Sequence, residues 1–155
     1  MDYLEKLTPA EKQMLIDAPL LVTILIAGAD NNIDKREKSW ASKITNFRTT
    51  TAHHTLKDYY ALAAVNFDDR LDHIISDLPK SGTERLPILS SKLSLLNTVL
   101  PKLDARFAKA FYNSMITFAK EIAEASGGIL GWFSKGKEEK KYLGLEMIDN
   151  PFPDM

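Results

Sequence analysis

A chain of 155 residues is long enough to bury the core of one domain, and without cysteine it can form no disulfide, thiolate nucleophile or cysteine-ligated metal site. Twenty Lys and Arg against 21 Asp and Glu leave a net charge of −1, which argues against nucleic acid as a partner, because phosphate binding draws on a basic excess. The most apolar stretch, Ala18 to Ala29, is shorter than the roughly twenty residues of a bilayer crossing, and the early acids Asp2 and Glu5 do not suit a secretory signal. The expectation is a cytoplasmic protein with no membrane span.

Thr8-Pro9-Ala10-Glu11 is a helix start, with Thr8 as cap, Pro9 in the first turn and Glu11 placed to return to the cap amide. Pro19 lacks an amide proton and crowds the preceding turn. A short first helix, a break near Asp17 to Pro19 and an apolar helix to about Ala29 are therefore expected, with Gly28 allowing close approach inside the second piece. Asp30-Asn31-Asn32 reads as a turn, and Asp34-Lys35-Arg36-Glu37 as a second capping box. The helix that follows presents Trp40, Ile44 and Phe47 at helical spacing and ends at Thr49-Thr50-Thr51.

Leu56, Tyr60, Ala63, Phe67, Leu71, Ile74 and Leu78 predict one long helix or two nearly collinear ones. Pro79 to Gly82 is a turn by composition, and Thr83 is the cap expected for the next helix. Leu86, Leu89, Leu93, Leu96 and Leu100 form an apolar stripe that fits the core of a bundle. Beyond Pro101, the segment near Asp104 to Ser126 carries Phe107, Phe111, Met115, Phe118 and Ile122 on one helix face, and Gly127 follows as its stop. A Gly-rich connection with Trp132 and Phe133, a last helix around Lys137 to Ile148 and a Pro-rich tail complete the chain. With no convincing strand, residues 1–155 read as a single all-α domain, a compact bundle of about seven helices.

One constellation has the makings of a site. Asp30, Asn32, Asp34 and Glu37 place four oxygen-bearing side chains on a turn and the first turn of a helix, the donor set that a hard cation such as calcium or magnesium takes. It is not an EF-hand, because the loop holds no glycine and the twelfth position from Asp30 is Ala41. The competing reading needs no metal, since acids cap helices and favour their positive ends.

The run Ala27 to Glu37 (Ala-Gly-Ala-Asp-Asn-Asn-Ile-Asp-Lys-Arg-Glu) resembles the TerB-like family of tellurite-resistance proteins. Its pattern is an apolar helix ending Ala-x-Ala-Asp-Gly, an aliphatic residue, and a Glu opening the next helix. Ala29, Asp30, Ile33, Asp34 and Glu37 match, and Asn31 replaces the glycine. A second such motif corresponds to Ile122 to Gly128, with Ser126 where the family has Asp, ahead of Glu138 and Glu139. The resemblance implies an all-helical, stress-associated protein whose acids bind a divalent metal. Asp30, Asp34 and Glu37 are then the first ligands, with Glu138 or Glu139 an addition.

His73 lies four residues from both Asp69 and Asp77, on one helix face, which suits a transition metal or, more simply, a solvated acidic surface. No nucleophile elbow and no phosphate-cradling loop occurs. The reading is a non-enzymatic, TerB-like, stress-associated protein with a protein partner and a candidate calcium or magnesium site. The alternatives are a metal-dependent hydrolase using Asp30, Glu37 and His73, and a purely structural helical module.

Overall fold

A computed structural model of the chain describes residues 4–28, 33–126 and 141–154. Among these, helices follow one another as α1 (Pro9–Ala27), α2 (Lys35–Thr51), α3 (His54–Ala64), α4 (Phe67–Ser76), α5 (Gly82–Ser94), α6 (Leu96–Val99) and, after a 3-10 turn at Leu100–Lys102, α7 (Ala105–Ala125). The described residues contain no strand, so the all-α class expected from the sequence is the class found.

Helix α1 is the centre of the molecule. Its start is the expected capping box, in which the Glu11 amide donates to Thr8 Oγ1 and the Thr8 amide donates to Glu11 Oε1. From Ala18 to Ala27 every residue is buried, and α1 packs against each of the other six helices. The expected break at Pro19 does not occur, and α1 runs unbroken through it. A proline in a helix interior removes the hydrogen bond to the carbonyl four residues back and costs about 3 kcal/mol. That carbonyl belongs to Leu15, and the Tyr59 hydroxyl on α3 donates to it at 2.7 Å. Arg70 also reaches the Ile16 carbonyl at 3.4 Å and pairs with Asp17 at 2.6 Å. Tertiary partners thus take the place of the missing amide.

Gly28 closes α1 rather than lying inside a helix. A methyl group there would stand 3.0 Å from the Arg85 guanidinium and 3.1 Å from Ile33. Arg85 is buried and ties the end of α1 to the turn before α5, donating to the carbonyls of Gly28 at 2.7 Å and Lys80 at 2.8 Å.

The apolar repeat from Leu56 to Leu78 divides into α3 and α4 at Val65 and Asn66, where Asn66 adopts a left-handed φ of 50° and redirects the chain. Ser81, not Thr83, holds the cap position of α5, and no side-chain bond supports it. The leucine stripe is a core stripe as expected, with Leu89, Leu93, Leu96 and Leu100 buried. Helix α7 matches its sequence reading closely. Asp104 caps it through the Phe107 amide, and all five expected apolar residues are buried. The helix expected up to Ile148 ends instead at Leu143, because Gly144 and a left-handed Leu145 (φ 50°) turn the chain. Asn97 holds that turn by donating to the Met147 carbonyl and accepting from the Asp149 amide. The Trp132-Phe133 connection, Glu138, Glu139 and the start of the last helix lie outside the described residues.

Removing the Tyr59 hydroxyl leaves a buried carbonyl unpaired, so Tyr59→Phe is expected to destabilise the fold by about 1–3 kcal/mol in urea unfolding. In a Pro19→Ala background a new amide serves Leu15, and the same substitution should lose at least half of that effect in a double-mutant cycle.

Candidate functional site

Of the cluster expected at the turn into α2, Asp34 and Glu37 lie among the described residues. Asp34 is the cap of α2, and its Oδ1 accepts from the Glu37 amide at 2.8 Å while Glu37 Oε1 accepts from the Asp34 amide at 3.2 Å. Each carboxylate gives one oxygen to the other's backbone, an arrangement that by itself stabilises a helix start by about 1 kcal/mol. Asp30 and Asn32 lie outside the described residues. Among the described residues no group of three His, Asp or Glu side chains is close enough to hold a metal ion. His73 is an exposed residue of α4 whose Nε2 lies 3.5 Å from Asp77 Oδ2, whereas Glu37 is buried at the head of α2. His53 caps α3 by accepting from the Thr55 amide.

Helix α2 has an unusual orientation. The residues it turns inward are Glu37, Ala41, Thr45 and Arg48, which recur three or four apart but include no large hydrophobe. Arg48 is the anchor. Its Nη1 donates to the Tyr60 hydroxyl at 2.6 Å and to the Ser114 hydroxyl and carbonyl at 2.9 and 3.0 Å. Its Nη2 donates to Thr117 and Glu121, both at 3.2 Å. The guanidinium also lies over the rings of Tyr60 and Phe118, at 5.3 and 5.2 Å from their centroids. Tyr60 and Ser114 share a further short hydrogen bond. One side chain therefore binds α2 to α3 and α7, and small Ala41 and Thr45 let the helix lie close.

With a polar and small-residue face turned inward, the aromatic face of α2 is turned out. Phe47 is 68% exposed and Trp40 47% exposed, with Ile44 half-buried between them and α7. Two open clefts of about 420 and 320 Å³ share Trp40, Ile44 and Glu121. The first extends toward Phe47 and Thr51, and the second toward Arg36 and Glu124. Together they follow one side of α2 for most of its length, with α7 as the facing wall. The sequence spacing identified these three apolar residues but not their exposure. The signal for it was present in the opposite stripe, where Glu37, Ala41, Thr45 and Arg48 also keep a helical repeat.

No family model matches the chain, and no curated protein or solved structure matches it either.

Burial raises the ionisation of Tyr60 above its ordinary value near 10, a larger effect than the opposing pull of Arg48 and the Ser114 hydrogen bond. A raised folded-state value makes this contribution to stability complete below pH 10 and lost as pH climbs through the folded value. The wild-type protein should accordingly lose stability above pH 10 more steeply than Tyr60→Phe, read from urea midpoints at pH 9, 10 and 11.

Proposed function

We propose that this chain is a non-enzymatic, TerB-like, stress-associated cytoplasmic protein that docks a protein partner in the cleft between α2 and α7. The observation that carries the docking role is the exposed Phe47 beside Trp40, on a helix held rigidly from behind by Arg48. Aromatic side chains on a fixed support are the typical anchors of protein interfaces, since they bury much area at little entropic cost. A divalent cation, calcium or magnesium, at Asp30, Asp34 and Glu37 would modulate the partner's affinity, because two of these acids form the cap of the helix that bears the anchors. The resemblance of Ala27 to Glu37 to the TerB-like pattern supports the stress association and the cation.

A photoreactive residue placed at Thr51, at the rim of the cleft, should cross-link a discrete partner in cells. The purified partner should then bind the wild-type chain at least tenfold more tightly than Phe47→Ala, as expected when an interface anchor worth about 1.4 kcal/mol or more is truncated. Equal binding by the two proteins would sink the docking assignment. The cation is checked separately, by thermal unfolding of chelator-treated protein. Saturating calcium or magnesium should raise the midpoint by roughly 5–10 °C, and Asp30→Ala should abolish the shift.

A further inference from the structure

Resting on the docking reading above, the charge around the α2–α7 cleft identifies the kind of partner: we infer that it takes an amphipathic helix with an acidic flank. At about 100° per residue, Arg36 and Lys43 fall roughly 40° and 60° to one side of Trp40, and Ile44 falls roughly 40° to the other, toward α7. The cleft thus has three parallel tracks. A basic rim of Arg36 and Lys43 comes first, then the apolar floor of Trp40, Ile44 and Phe47, then the α7 wall bearing Glu121 and Glu124.

The two rims are not equivalent. Glu121 is already paired with Arg48 at 3.2 Å, which leaves Glu124 as the acidic character of the α7 wall, whereas two cations line the opposite rim. From Arg36 to Thr51 the cleft is about 22 Å long, four helical turns, and its apolar floor from Trp40 to Phe47 takes about 10 Å of that. A groove of that length, between two helices and with anchors at helical spacing, fits a third helix whose apolar residues stand at i, i+4 and i+7. Acids along one flank meet Arg36 and Lys43, and a base on the other flank meets Glu124.

The same charges disfavour a second copy of this chain as occupant. Two α2 helices paired antiparallel about the middle of the stripe would set Lys43 against its own counterpart, and like charges at an interface oppose association.

The test is selection from a displayed library of fully randomised 18-residue peptides against the intact protein, followed by affinity measurement on the recovered sequences. The inference expects sequences with the i, i+4, i+7 apolar stripe and Asp or Glu along one flank. Their affinity should fall at least tenfold in Phe47→Ala and again in Arg36→Glu with Lys43→Glu. A peptide with its acids changed to Lys should regain binding to the charge-reversed protein. All three positions lie at the rim or on the open side of the cleft, so circular dichroism melts should confirm unchanged folding. Recovered peptides that require Phe47 but carry no acidic flank would overturn the inference and leave the docking reading standing. Binders indifferent to Phe47, or no binders, would overturn both. Concentration-dependent dimerisation that is lost in Phe47→Ala would assign the cleft to a second copy and overturn the inference as well.

Discussion

The Tyr59 hydroxyl bound to the Leu15 carbonyl stands where a helical amide would be if residue 19 were not proline. From Ala18 to Ala27 helix α1 is buried all round, and such a segment is stable only when other elements surround it. Its one backbone defect falls inside that surround, at a depth where water cannot repair it, and an unpaired carbonyl there costs about 1–3 kcal/mol. The repair comes from α3, whose Tyr59 also stacks edge-on against Tyr60 and against Phe111 of α7. The residue that completes α1 is therefore one that positions α3 and α7 around it.

A second anchor decides which surface the protein presents. Arg48 gathers hydroxyl, carbonyl and carboxylate oxygens from α3 and α7, so α2 is fastened to the bundle through polar contacts. Breaking a buried charged network of this kind typically costs about 3–5 kcal/mol, although Glu121 is half exposed and its share is correspondingly smaller. A helix held by hydrophobic burial has to turn its aromatics inward. One held by a guanidinium can leave them outside, and Trp40 and Phe47 are outside.

The all-α class, the two capping boxes, the core stripe of α5 and α6 and the apolar face of α7 were all legible, because each rests on contacts within a few residues of sequence. What could not be read depends on partners far along the chain. Pro19 looked like a break because its rescue lies 40 residues away, on Tyr59. Trp40, Ile44 and Phe47 have the spacing of a core face, and periodicity does not tell which stripe of a helix faces inward when the opposite stripe is held by an arginine. Asp34 and Glu37 were legible both as caps and as ligands, since both roles need acids at the same positions. Their mutual amide bonds establish the first role.

These pieces meet at the head of α2. On one side, α1 ends at Gly28, whose carbonyl is held by buried Arg85 and whose missing side chain makes room for that guanidinium. On the other, Asp34 and Glu37 fix the first turn of α2. The end of α1 and the start of α2 are therefore each held by side-chain hydrogen bonds. Arg48 clamps the same helix further along, and the segment between cap and clamp carries Trp40, Ile44 and Phe47. The capping box and the Arg48 clamp are thus two supports of one helix, and the exposed aromatic residues lie between them.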